Sequence, residues 1–181
     1  MNIDQTIKDL NHLAQESLKV YPNVDGLETV GHILMIRTVR TAFFLPVIEK
    51  IRRAYPDIKI SVIGDETDAE WVKRNGFDGD CLFIHHGSIN REVFEIHANQ
   101  LKDIDAICYV GPSVYRQTYL NVLDACSYYA KKIRVPLFAY VRSEELIYKI
   151  IDSEKLLMAL KITGAMIEYA NESCKKEMYI S

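Results

Sequence analysis

The chain has 181 residues, of which 49% are hydrophobic and 26% are charged. This length suits a single domain that buries its own core, and the composition excludes a disordered, low-complexity or coiled-coil chain. The formal net charge is -3 and the basic residues form no stripe, so the sequence indicates no nucleic-acid partner.

The amino-terminal residues and the apolar runs indicate where the protein resides. Residues 1–10 mix acidic and amide side chains with apolar ones, and they lack the basic and apolar regions of a signal peptide. No run approaches the ~18 consecutive apolar residues that a membrane-spanning helix needs. The sequence therefore predicts a cytoplasmic protein without a membrane span.

The cysteine pattern argues against a metal or redox site. The four cysteines are far apart and form no Cys-x-x-Cys pair, which is the spacing of zinc ribbons and dithiol redox motifs. We expect reduced thiols and no bound metal, with three of the thiols in the core and the last one exposed. They are Cys81, Cys108, Cys126 and Cys174.

Hydrophobic periodicity predicts alternating strands and helices, with one added helix at each end. The first helix covers Ile3 to Val20 and ends before Tyr21 and Pro22, and a loose connector follows to Gly31. Short apolar runs predict buried strands at 32–37, 58–63, 80–84, 105–110 and 135–141, and helical spacing predicts helices at 41–55, 66–75, 90–101 and 114–133.

This alternation predicts a parallel sheet with right-handed crossovers. The expected fold is an α/β, Rossmann-like three-layer domain with a five-stranded parallel sheet. One domain is expected over 1–181, with the amino-terminal helix and connector at 1–31, the core sheet at 32–142 and carboxyl-terminal helices at 143–181.

The last predicted helix carries a broader apolar stripe than a surface helix requires. Asp152 or Ser153 can cap its start, and it runs to about Ala170. Packing across the sheet explains the stripe, and so does a dimer contact. Its apolar residues are Leu156, Leu157, Leu160, Ile162, Met166 and Ile167.

The loops after the predicted strands hold the candidate ligand-binding residues, because open parallel sheets bind ligands beyond the carboxyl ends of their strands. Arg37, Thr38, Arg40 and Thr41 follow the first strand and lead into a helix, whose amino terminus attracts anions. This loop contains no glycine, so its backbone cannot approach a pyrophosphate as closely as a glycine-rich loop does. Solvated arginines and a threonine cap are the alternative explanation.

The later loops add further candidates, each with a simpler structural alternative. An acidic residue after the second strand can hold a ribose hydroxyl or a metal, or it can cap a helix. A histidine after the third strand can act as acid, base or phosphate donor. The Gly-Pro-Ser turn after the fourth strand admits a ligand or is ordinary turn chemistry. The residues are Asp65, His85, His86, Gly111, Ser113, Arg116 and Arg142. No nucleophile arrangement is recognisable, so we assign no catalytic residue and no cofactor.

A longer pattern joins the first two strands. The first strand ends in Ile36-Arg37, the next helix carries Pro46, and residues 52–56 read Arg-Arg-Ala-Tyr-Pro before the second strand. This pattern resembles the opening of the heptosyltransferase-like family of GT-B glycosyltransferases. The similarity continues through residues 75–78 and 105–108, and so covers roughly 32–142, which corresponds to the amino-terminal, acceptor-side domain of that family.

The chain departs from that family in two respects. The family's Leu-Gly-Asp motif, whose Asp serves as base, is missing between Arg37 and Pro46, and the length leaves no room for a second, donor-binding domain. The resemblance therefore implies a domain that binds a sugar, sugar nucleotide or phosphorylated ligand without independent transferase activity. Such a domain either works with a separate donor-domain partner or has lost transfer activity.

Two other functions remain open from the sequence, so whether the protein is an enzyme is undecided. One is a non-catalytic interaction or homodimerisation module, which the stripe of the last helix and Tyr128, Tyr129 and Tyr169 favour. The other is a small standalone enzyme with His85 or His86 and Asp65 as acid and base.

Overall fold

The computed structural model describes residues 2–64, 74, 81–83, 89–112, 117–141 and 146–180. Its helices are α1 (Ile3–Glu16), α2 (Thr41–Ala54), α3 (Arg91–Ala98), α4 (Gln117–Ile133) and α5 (Ser153–Ile180), with a short 3-10 helix at Asp25–Leu27. Its strands are β1 (Leu18–Tyr21), β2 (His32–Arg37), β3 (Lys59–Gly64), β4 (Cys81–Phe83), β5 (Ala106–Gly111), β6 (Leu137–Val141) and β7 (Leu146–Ile150). The predicted helix over 66–75 lies outside the described residues, except for Arg74, which is helical.

In the described part of the chain, seven strands form one sheet in the order β1-β7-β6-β5-β2-β3-β4. The predicted strands β2 to β6 are present and pair in parallel. Strand β7 runs antiparallel to β6, and β1 runs antiparallel to β7. The predicted α/β class is therefore confirmed, but the prediction of a purely parallel sheet of five strands is wrong, because two further strands make the sheet mixed.

Both unpredicted strands replace expected helix. Helix α1 ends at Glu16 rather than Val20, because the Ser17 backbone N–H bonds to the Ala14 carbonyl and its hydroxyl to the Leu13 carbonyl. Residues 146–150, expected within the carboxyl-terminal helices, form β7 instead. The 143–181 segment thus contains one strand and one long helix among its described residues.

The sheet is covered on both faces, which gives the expected three layers. Alternate strand residues such as Leu34, Ile107 and Tyr109 face one core, which also contains side chains of α1, α3, α4 and α5. Their neighbours, such as Met35 and Cys108, face a second core with α2. No helix in the described ranges is long and apolar enough to cross a bilayer.

Two of the cysteines lie in these cores. Cys108 and Cys126 are buried and free, as predicted. Burial raises the pKa of the Cys108 thiol to about 12, and burial likewise raises the pKa of Cys126. Both groups are therefore neutral, unreactive thiols near neutral pH. For Cys81 and Cys174 the structure describes the backbone only.

Polar contacts close the amino-terminal end of the parallel strands. The Asp105 carboxylate accepts hydrogen bonds from the backbone N–H groups of Gly31 and His32, at 3.1 and 2.9 Å. The buried His32 ring bonds to the Ser61 hydroxyl at 2.7 Å and to the Lys102 carbonyl at 3.0 Å. These polar groups satisfy one another at the amino-terminal end. Open parallel sheets bind ligands at the opposite end, beyond the carboxyl ends of their strands.

Candidate functional site

The strand order places a crevice between the carboxyl ends of β2 and β5. Numbered along the chain, the five parallel strands lie in the order 3-2-1-4-5, which is the Rossmann order with its switch point between the first and fourth strands. Here these are β2 and β5, and Arg37 lies opposite Val110 in their register. We call residues 37–40 together with Gly111 the β2/β5 rim.

Two arginines give the β2/β5 rim its positive charge. Arg37 is only 5% exposed, and its guanidinium donates to the Val39 carbonyl. Arg40 is exposed and caps α2, where its carbonyl accepts from the N–H groups of Phe43 and Phe44. A buried, oriented guanidinium and an exposed one therefore lie at the start of α2, where the helix dipole also favours an anion.

Thr38 ties β2 to β5 at the crevice. Its backbone N–H and its hydroxyl both donate to the Val110 carbonyl, at 3.0 and 2.8 Å. The hydroxyl is also hydrogen-bonded to the Tyr109 phenol. Burial raises the pKa of Tyr109, so this phenol is neutral near neutral pH.

Only glycine fits at position 111 without displacing neighbouring side chains. A Cβ built on Gly111 would overlap the hydroxyl groups of Tyr109 and Thr38. The space that the sequence suggested for a ligand over Gly111 is therefore filled, on the Cβ side, by these two side chains. The glycine admits the Tyr109 phenol to its hydrogen bond with Thr38.

Most of the other predicted site residues are not among those that the structure describes. Thr41 begins α2, where the structure describes its backbone only. Six predicted site residues lie outside the described ranges: Asp65, His85, His86, Ser113, Arg116 and Arg142. Of the predicted set, the structure thus brings Arg37, Thr38, Arg40 and Gly111 together. Within the described ranges, no group of three or more His, Cys, Asp or Glu side chains could hold a metal ion.

A cavity that sequence reasoning missed adjoins the β2/β5 rim. It has a volume of about 340 Å³ and lies between β5, β6 and β7 on one side and α1, α4 and α5 on the other. Tyr109, Tyr119 and Tyr148 contribute aromatic rings to its wall, and we call it the tyrosine cavity. Tyr109 also belongs to the hydrogen-bonded pair with Thr38, so one side chain connects the cavity to the rim.

The sequence contains a weak signal for this cavity. Ala139 is the one small residue in the apolar run Leu137-Phe138-Ala139-Tyr140, and it faces the cavity. Several other lining residues come from α1 and β7, whose positions depend on the two strand pairings that the sequence did not predict.

Comparisons with known proteins add little to this geometry. No protein-family model and no curated protein matches the chain. Among solved structures, the chain is similar to an O-methyltransferase family protein from Burkholderia thailandensis, with a TM-score of 0.45 and 7% sequence identity. That similarity covers 76% of this chain and 39% of the other. The chain thus spans well under half of that protein, and a similarity at this level assigns no function.

Proposed function

We propose that this domain binds a sugar, nucleotide or other phosphorylated ligand at the β2/β5 rim, without transferase activity of its own. The observation that carries the proposal is the strand order, which makes the carboxyl ends of β2 and β5 the switch point of the sheet. The heptosyltransferase-like pattern over roughly 32–142 favours the same class of ligand.

The charges at the rim suit the anionic part of such a ligand. The chain as a whole is acidic, yet Arg37 and Arg40 lie together at the start of α2. The Val39 carbonyl holds the Arg37 guanidinium in place, whereas the exposed Arg40 side chain can reach a bound phosphate. Guanidinium groups bind phosphate oxygens in pairs, and the first backbone N–H groups of a helix add to the attraction.

We expect ligands of this class to raise the melting temperature of the wild-type protein. The ligands to be tested are inorganic phosphate, sugar phosphates and nucleotide sugars, each at millimolar concentration. A ligand present at 100 times its Kd stabilises by about 2.7 kcal/mol, which corresponds to a rise of roughly 5–10 °C for a domain of this size. Arg40→Gln should reduce the rise by more than half.

The matched control is Arg53→Gln. Arg53 is an exposed arginine in the last turn of the same helix, so this variant removes the same charge away from the rim and should keep the full rise. The proposal would be contradicted if none of these ligands raised the melting temperature of the wild-type protein. An equally reduced rise in melting temperature in Arg40→Gln and Arg53→Gln would also contradict it, because the effect would then come from net charge alone.

The outer face of α5 favours a second candidate function, an interaction or homodimerisation module. Met158, Ile162 and Tyr169 are 49%, 41% and 65% exposed, and their spacing places them on one side of the helix. Ile3 of α1 and Met166 border the same surface. We call Met158, Ile162, Met166 and Tyr169 the α5 stripe. Leu160, which the sequence grouped with this face, instead packs against the core and lines the tyrosine cavity.

If the α5 stripe is a dimer contact, Ile162→Asp should convert a dimer into a monomer in light scattering. A carboxylate in the centre of an apolar interface would be buried without a partner, which is strongly unfavourable. Ile96→Asp is the control, because Ile96 is 57% exposed on α3 and lies outside the stripe. A wild-type protein that stays monomeric at several hundred micromolar would refute this second function.

A further inference from the structure

We propose that the tyrosine cavity binds a small neutral aromatic molecule, at a site distinct from the anion site at the β2/β5 rim. The proposal rests on three observations: the strand register of the lining residues, the absence of formal charge among those that the structure describes, and the volume of the cavity. It does not depend on the function proposed above.

The register places a small residue between two tyrosines. On β6, Ala139 lies directly opposite Tyr109 of β5 on one side and Tyr148 of β7 on the other. The three residues therefore form a row across three strands, with the small residue in the middle. Neighbouring strands are about 4.8 Å apart, so the backbones that carry the two tyrosines are about 10 Å apart.

A planar ring fits this spacing. A ring above Ala139 would lie about 5 Å from the backbone of each strand that carries a tyrosine, and aromatic pairs are favourable at centroid distances of about 4.5–7 Å. Tyr119 of α4 adds a third ring to the wall, and Ala14 of α1 leaves space on the helical side. An aliphatic molecule of the same size would lack this ring pairing.

The polarity of the lining selects a neutral ligand. None of the described residues that line the cavity carries a formal charge, and its polar groups are tyrosine hydroxyls together with the amides of Asn11 and Gln15. A charged ligand would lose its hydration there without gaining a counter-charge from these described residues. A hydroxyl or ring N–H, in contrast, can bond to the amides or the phenols.

The volume limits the ligand to one or two rings. At about 340 Å³, the cavity is at the lower end of the range of about 300–1,000 Å³ that is typical of small-molecule sites. Phenol and indole are suitable probes, since each combines an aromatic ring with one hydrogen-bond donor. Cyclohexanol serves as the non-aromatic probe of similar size.

The experiment measures the Kd of each probe by ligand-observed NMR on the full chain. We expect wild-type protein to bind phenol and indole about tenfold more tightly than cyclohexanol. Ala139→Leu fills the cavity from β6, and Ala14→Leu fills it from α1, where leucine suits the helix. Each should weaken phenol binding at least tenfold, and Ala14→Leu provides the test if Ala139→Leu fails to fold. Ala165→Leu, an exposed position on α5 outside the cavity, should bind like wild type.

Three results would overturn the proposal. They are the absence of phenol and indole binding to wild-type protein at millimolar concentration, equal affinity for cyclohexanol, and wild-type affinity in Ala14→Leu. The Arg40→Gln variant separates this proposal from the anion site, because it should lose phosphate-dependent stabilisation and keep phenol binding.

Discussion

Phe94→Ala should destabilise the domain by about 3–5 kcal/mol, the usual range for the loss of a fully buried phenylalanine. Phe94 is 0% exposed in the centre of α3, and its ring lies edge-on to Tyr129 of α4, with the centroids 5.4 Å apart. The substitution would leave a cavity between the two helices and remove this aromatic pair. Urea unfolding followed by circular dichroism measures the loss.

A neighbouring position on α3 provides the control for that result. Ile96 is 57% exposed, so Ile96→Ala removes an aliphatic side chain from the same helix without opening a cavity. Its free energy of unfolding should change by about 0.5 kcal/mol or less. Similar losses in the two variants would mean that α3 does not pack against α4 through Phe94.

Gly111→Ala should cost about 1–3 kcal/mol, the range for inserting a methyl group into a packed site. The new Cβ would overlap the Tyr109 phenol and the Thr38 hydroxyl, so their hydrogen bond would have to break or shift. The loss is measured by urea unfolding, and the displacement of Tyr109 by near-ultraviolet circular dichroism.

A double-mutant cycle tests whether Tyr109 causes this loss. In a Tyr109→Leu background the phenol is absent, so adding Gly111→Ala should cost clearly less than it does in the wild-type chain. If the two backgrounds show the same loss, the overlap with Tyr109 is not the reason why glycine is needed there.

Local patterns were sufficient to predict the parallel part of the sheet. Strand β2 has the predicted bounds, and β3, β4, β5 and β6 begin and end within two residues of prediction, because continuous apolar runs are typical of strands that are buried on both faces. Helix α5 continues past the expected end near Ala170 to Ile180, and no proline follows Ala170 to stop it.

Strands β1 and β7 could not be predicted in the same way. Lys19 interrupts the apolar run that marks a buried strand, and both central residues of β1, Lys19 and Val20, are exposed. Strand β1 is defined by a partner far away in the chain, because it pairs with β7 across more than a hundred residues, whereas β7 also pairs with β6, the strand before it. Local periodicity contains no information on such partners.

The same distinction applies to the candidate site. Arg37, Thr38, Arg40 and Gly111 follow recognisable strands, so their convergence at one end of the sheet could be predicted from topology. The tyrosine cavity depends on the register that places Ala139 between Tyr109 and Tyr148, and register becomes known only when the strands are paired.

The pairing of β1 with β7 also covers an apolar strand edge. Leu18 to Tyr21 occupy the outer hydrogen-bonding edge of Ile147 to Ile150, while β1 itself is only four residues long and presents Lys19 to solvent, features that discourage further strand addition. Proteolysis after Tyr21 would uncover a longer and more apolar edge and would remove α1 from the cavity wall. We therefore expect a chain that lacks its first twenty-one residues to aggregate more readily than the full chain, so a purification tag should be added before these residues and should not replace them.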